Sequence, residues 1–201
     1  MADKKWTSLP EFRIPIQYEN AGKYLRALVQ EMIDEMLKNG WSGVACRAQR
    51  LEEELDGLCR GFPENILIIK DYVDAARKAG HMVDAKMGSA CASEVLNTLG
   101  VTCASPMSNG LRLEGFVNPK FAKDWLPTVG IRTSEEGRAY IIRYLMDKYG
   151  RDHVAIVGCD ERKIVMSGEK IADVVPVMDG EDGIPVTNCK MAAILQSNLC
   201  L

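Results

Sequence analysis

Residues 82–98 read MVDAKMGSACASEVLNT, and in this stretch the pattern changes from extended to helical. Residues 82–85 predict a short strand, and Gly88-Ser89 predicts the start of a helix over 89–99 that Gly100 ends. Small residues let an anion approach the backbone, and the free N–H groups and dipole of a helix start attract phosphate. The turn therefore predicts either a plain helix cap or a phosphate site. The candidate phosphate- or nucleotide-binding residues are Lys86, Gly88, Ser89, Ser93 and Lys163.

The residues before this stretch predict three helices. Apolar residues recur with helical spacing over 19–38, and Asn39-Gly40 ends that helix. Two further helices are predicted over 45–58 and 63–78. We expect the second helix to carry one charged face, made of Arg50, Glu52, Glu53 and Glu54.

The residues after it mix strands with one long helix. The helix is predicted over 135–149, with Ser134 as its N-cap and Gly150 at its end. Helices followed by mixed strands and helices favour an α+β fold. The predicted strands are 111–117, 129–133, 153–157, 163–166, 174–177 and 184–187, with Asp182-Gly183 as a hairpin turn between the last two.

Composition excludes several classes of protein. The 201 residues include 25 Lys+Arg and 28 Asp+Glu, for a net charge of −3, which argues against nucleic-acid binding by bulk charge alone. The seven scattered cysteines, without a CxxC pair, predict reduced thiols and a cytoplasmic protein. Two histidines are too few for a histidine metal cluster. We expect no transmembrane helix and no signal peptide at residues 1–6.

Several short motifs occur in a specific order along the chain. They are RLEEEL at 50–55, GSACAS at 88–93, LGVT at 99–102, LEGFVNP at 113–119, YGRDHV at 149–154 and DGIPVT at 182–187. In this order they resemble motifs of the palm region of the bacterial DNA polymerase III alpha subunit, a C-family polymerase. The resemblance covers about residues 8–201. It implies a mixed-sheet, nucleotidyltransferase-like palm over 81–201, with a helical part over 1–80 packed on it as one compact unit.

The chain departs from that family where the family's acidic residues lie. The resemblance implies that two carboxylates for divalent ions come from a PDxDxDF strand, which here is PTVGIRT at 127–133. A third comes from KFDFLGL, which here is LQSNLCL at 195–201. The family's fingers would follow Gly158, where this chain has no room for them. The altered positions are Thr128, Gly130, Arg132, Ser197 and Asn198.

These departures leave three hypotheses. The first is a palm-like module without polymerase catalysis, catalytic residues, metal or cofactor, which binds nucleotide or DNA phosphate or acts as a regulator. For Arg132 and the lysines, a solvated charge is the alternative to a phosphate contact. The second hypothesis is a protein-interaction or oligomerisation module with no nucleic-acid role. The third is an active DNA-directed polymerase with a rewired pair of acids.

Overall fold

The structure, a computed structural model, describes residues 9–41, 43–61, 63–85, 88–116, 129–157, 163–166 and 192–197. Within these ranges the chain forms helices and one mixed sheet, which confirms the α+β prediction. The helices are α1 (Ala21–Lys38), α2 (Val44–Gly61), α3 (Pro63–Lys78), α4 (Glu94–Thr98) and α5 (Glu135–Tyr149). The strands are β1 (Val83–Asp84), β2 (Val129–Thr133), β3 (Val154–Val157), β4 (Lys163–Met166) and β5 (Ala192–Ser197).

Helices α1 and α2 run antiparallel and approach each other closely. The Asn20 side chain accepts a hydrogen bond from the Lys23 amide (2.9 Å) and caps the start of α1. At that end of α1, a Cβ on Gly22 would lie 3.1 Å from the Cys59 carbonyl oxygen. Glycine at position 22 therefore allows the two backbones to come together.

Helix α3 lies at the centre of the core. Its apolar face, which includes Ile66, Ile69, Val73 and Ala76, is fully buried. The helix contacts α1 and α2 on one side and α5 on the other. The apolar residues at helical spacing therefore form the buried face of α3, because burial of such a face drives helix packing.

Helix α5 packs on α3 with its apolar face inward. Ile141 and Leu145 are fully buried, and Ser134 caps the helix as predicted. At the α3–α5 contact, Asp71 accepts a hydrogen bond from the Tyr144 hydroxyl (2.8 Å). It also forms an ion pair with Lys148 (2.7 Å). A polar contact thus supplements the apolar packing between these two helices.

The sheet has the strand order β1-β2-β5-β4-β3. Strands β2 and β5 are parallel, and the other neighbouring strands are antiparallel. Along β2, Val129 and Ile131 are buried while Gly130 and Arg132 are partly exposed. One face of β2 therefore packs on the core, and the other carries Gly130 and Arg132.

Two predicted elements differ from the structure. The helix predicted over 89–99 is two elements, a 3-10 helix (Ser89–Ala92) and α4, because Ser93 is extended between them (φ −94°, ψ 119°) and caps α4. The strand predicted over 111–117 is wrong at residues 113–115, which form a 3-10 helix. That turn is followed by a buried Phe116, whereas Leu111 stays exposed. Apolar alternation over so few residues did not distinguish a strand from a 3-10 helix.

Other predictions fall where the structure describes less. The strands at 174–177 and 184–187 and the turn at 182–183 lie outside the described residues. The division into 1–80 and 81–201 stays a prediction. No helix in the described ranges is both long enough and apolar enough to cross a membrane.

Candidate functional site

The Gly88 turn leads directly into the 3-10 helix Ser89–Ala92. Gly88 has φ +83°, a region that only glycine adopts readily, so any side chain there would strain the turn. Gly88 and Ser89 are exposed, and the Gly88 carbonyl accepts a hydrogen bond from the Cys91 amide (3.3 Å). Lys86, the predicted cation of this turn, lies outside the described residues.

The start of α4, at Glu94, is occupied by an internal carboxylate. Glu54 Oε1 accepts from the Glu94 amide (2.9 Å), and Oε2 accepts from the Val95 amide (3.0 Å) and the Ser93 hydroxyl (2.9 Å). The Ser93 hydroxyl oxygen in turn accepts from the Leu96 amide (3.1 Å). Ser93 is fully buried, so in this structure it links Glu54 to the start of α4.

Glu54 corrects the prediction of a charged outer face on α2. Its side chain has 0% exposure, although Glu52 and Glu53 beside it are exposed. Arg50, one turn earlier, pairs with Glu54 (2.6 Å) and also donates to the Ala92 carbonyl (3.0 Å). The i, i+4 spacing of Arg50 and Glu54 in RLEEEL was the available signal for this pair. The sequence did not show that the pair points inward.

A second buried carboxylate lies next to this contact. The side chain of Glu94 has 0% exposure and pairs with Arg47 (2.9 Å). Burial raises the pKa of the Glu94 carboxyl, Arg47 opposes the rise, and the charge of Glu54 adds to it. Two arginines of α2 therefore face two glutamates, and this charge cluster holds the Gly88–Ser93 segment against α2.

The raised pKa of Glu94 predicts a pH-dependent effect of Glu94→Gln. Because the folded protein favours the protonated acid, the contribution of Glu94 to stability is fully present below its unfolded pKa and is lost as the pH rises through the folded pKa. The free energy of unfolding of Glu94→Gln minus that of wild type should therefore be larger at pH 7 than at pH 4.5. Urea unfolding of both proteins at the two pH values measures this shift. A difference that is constant between them, or that moves the other way, would contradict it.

The positions that the resemblance aligns with the family's acidic residues lie on two neighbouring strands. Gly130 and Arg132 are on β2, and Ser197 ends β5, the parallel neighbour of β2. The register places Ile131 beside Ser197 and Gly130 beside Gln196. Thr128 and Asn198 lie outside the described residues. The 3-10 helix after Gly88 contacts β2, so the turn and Gly130/Arg132 belong to one region of the protein.

Strand register adds two charged residues to this region. Lys163 of β4 pairs in register with Gln196, which pairs with Gly130, so these three residues form one row across three strands. At about 4.8 Å per strand, the backbones of Lys163 and Gly130 are roughly 10 Å apart. On the other side of β2, Arg132 is in register with Asp84 of β1.

The sequence alone gives no sign that Asp84 belongs to this region. Only the antiparallel pairing of β1 with β2 brings it beside Arg132, and cross-strand partners of opposite charge attract each other. In the described part of the chain, no group of three or more His, Cys, Asp or Glu side chains is placed to hold a metal ion. The described residues of this region offer the exposed backbone of Gly88 and Ser89 and the charged side chains of Arg132 and Asp84.

Comparison with known proteins assigns the chain to a family. The family model described as the bacterial DNA polymerase III alpha NTPase domain matches residues 23–163. The chain belongs to this family, as the motifs indicated.

Individual relatives agree with that assignment. The chain is 33% identical to the DNA polymerase III subunit alpha of Mycobacterium leprae over 150 residues, which is 74% of this chain and 12% of the relative. It is 33% identical to that of Borreliella burgdorferi over 147 residues, 73% of this chain and 12% of the relative. For Aquifex aeolicus the identity is 30% over 149 residues, 73% of this chain and 13% of the relative. The chain thus spans about an eighth of the length of these relatives.

Proposed function

We propose that this chain is a palm-like polymerase III alpha region without polymerase catalysis, and that it binds the phosphates of nucleotides or DNA without a divalent ion. The observation that carries the proposal is the composition of β2. Gly130 and Arg132 stand on its partly exposed face, at positions where the resemblance puts acidic residues in the family. A polymerase needs carboxylates there to hold the ions that stabilise the attacking and leaving oxygens.

Replacement of an acid by arginine changes which ligand this region favours. A cation repels Mg²⁺ and attracts phosphate, and an arginine guanidinium can donate two parallel hydrogen bonds to phosphate oxygens. Lys163 lies in the register row of Gly130, two residues along β2 from Arg132, and brings a second positive charge to the region. These positions support a site for a phosphate that is not complexed with metal.

Within the predicted phosphate element, the geometry favours Gly88 and Ser89 over Ser93. Gly88 and Ser89 are exposed, so a ligand can reach their backbone and the Ser89 hydroxyl. The Ser93 hydroxyl is buried and already bonded to Glu54 and the Leu96 amide. We therefore centre the proposed contact on Gly88 and Ser89, with Arg132 and Lys163 as its cations.

Calorimetric titration with deoxynucleoside triphosphates and with primed DNA tests this proposal. Each titration is run once with Mg²⁺ and once with EDTA, and primer extension is measured in parallel. We expect binding that persists in EDTA, and no extension in either Mg²⁺ or Mn²⁺. Binding that requires Mg²⁺, extension of the primer, or no binding under any condition would each contradict the proposal.

A matched pair of variants locates the binding. Ser89→Asp adds a negative charge at the exposed turn, and Ser108→Asp adds the same charge at an exposed residue of another loop. We expect Ser89→Asp to weaken phosphate binding about tenfold, equivalent to about 1.4 kcal/mol, by repulsion. Ser108→Asp should stay within about twofold of wild type. Equal weakening by both variants would show that the Gly88 turn is not the site.

A further inference from the structure

An open groove runs between α1 and α2, on a different part of the molecule from the Gly88 turn. Its volume is about 540 Å³, and its floor is apolar, formed by Val29, Leu51 and Leu55. Ala27 and Ala48 also line it. Two alanines on facing helices leave a space that larger side chains would fill, so the groove follows from the sequence of the helix pair.

The apolar surface continues beyond the groove along α1. Ile33 lines the groove and is half-buried, and Leu37, one turn later, is 53% exposed. These positions are spaced i, i+4 with Val29, so they form one stripe along the helix. A stripe of this kind beside a groove is the surface on which an amphipathic helix packs.

The rim of the groove is acidic. Glu52 lines the α2 side of the groove and is 69% exposed. Asp34 accepts from the lining residue Gln30 (2.8 Å), and Asp56, which is 62% exposed, pairs with the lining residue Arg26. Arg26 also donates to Glu52 (2.7 Å). Among the described residues, these four charged side chains line the groove or bond to its lining, and their net charge is −2.

We propose that this groove binds one amphipathic helix of a partner protein, with leucine-like side chains on its apolar face and lysine or arginine beside them. The apolar face would fill the space above Val29, Leu51 and Leu55. The basic residues would face the acidic rim, which gives the partner its orientation and its preferred charge. A second copy of this chain is disfavoured as the occupant, since its own α1 and α2 would bring acids against acids.

Fluorescence anisotropy with three labelled peptides and the whole chain tests the proposal. The first is a model helix of about 18 residues with leucines at i, i+3, i+4 and i+7 and lysines elsewhere. The second has glutamates in place of the lysines, and the third has a central proline that breaks the helix. We expect saturable binding of the leucine–lysine helix, with the other two at least tenfold weaker.

Two variants of α2 show whether the groove is the site. Ala48→Arg places a long side chain in the groove, whereas Gln49→Arg adds the same charge on the next residue, which is exposed and does not line it. Arginine is a good helix former, so circular dichroism should find both folded. We expect Ala48→Arg to weaken peptide binding at least tenfold and Gln49→Arg to change it less than threefold.

Three results would overturn the proposal. The first is no saturable binding of the leucine–lysine helix, and the second is equal binding of the glutamate peptide. The third is equal affinity of Ala48→Arg and Gln49→Arg. Light scattering supplies a further test, because a dimer that Ala48→Arg dissociates would make a second copy the occupant. Phosphate binding at the Gly88 turn does not enter these measurements, so the two proposals can fail separately.

Discussion

Replacement of Glu54 by glutamine is expected to lower the free energy of unfolding by about 3 kcal/mol. The carboxylate accepts hydrogen bonds from Ser93 and from two backbone amides, and it pairs with Arg50. A glutamine can accept through one oxygen only, so its NH₂ group would face an N–H donor at the start of α4. The half-buried Arg50 guanidinium would also lose its charge partner, which adds to the cost of breaking the pair.

The matched control is Glu53→Gln on the same helix. Glu53 is exposed and accepts from Gln49 (3.0 Å), so its replacement should change stability by less than about 0.5 kcal/mol. Urea unfolding gives both free energies, and for Glu54→Gln the melting temperature should fall by roughly 6–12 °C. Equal stability of the two variants would mean that the Glu54 contacts contribute little to the fold.

The double substitution Gly130→Asp/Arg132→Asp is expected to create a divalent-ion site on β2. The two positions are on the same face of β2, one of them in register with Asp84 on β1. Two new carboxylates and the removal of one cation change the local charge by −3, and hard divalent ions bind to carboxylate oxygens. Titration with Mn²⁺, followed by electron paramagnetic resonance, should show affinity at least tenfold above that of wild type.

The control for this gain is Gly130→Asn/Arg132→Asn. It places side chains of nearly the same size at both positions and removes the arginine without adding negative charge. Its Mn²⁺ affinity should stay close to that of wild type. If the aspartate variant gains no Mn²⁺ binding while both variants remain folded, the altered residues are not what separates this chain from a metal-binding palm.

The helical part of the fold was predictable because its information is local. Apolar residues at helical spacing and caps such as Ser134 predicted α1, α3 and α5 to within two residues, since a helix satisfies its backbone within one segment. The prediction of a single helix over residues 89–99 was wrong. The extended Ser93 divides them, because Glu54, some 40 residues away, supplies acceptors for the amides of α4.

The candidate site was also only partly predictable from the sequence. Strand-to-helix residues such as Gly88 are visible in one segment, and the altered positions of β2 are visible by comparison of motifs. The row from Gly130 through Gln196 to Lys163 depends on which strands are neighbours, and the two pairings join residues that are 66 and 33 positions apart. The Arg132–Asp84 register is a contact of the same kind.

By itself, the sequence determined the helices, the α+β class and the order of polymerase III alpha motifs. These are properties of residue type and short-range spacing, which an extended chain already contains. Only the tertiary structure decided that Glu54 points inward, that Asp84 faces Arg132, and that α1 and α2 leave a groove between them. Each of these depends on the side a residue presents to a distant segment, and burial and strand pairing choose that side once the chain has packed.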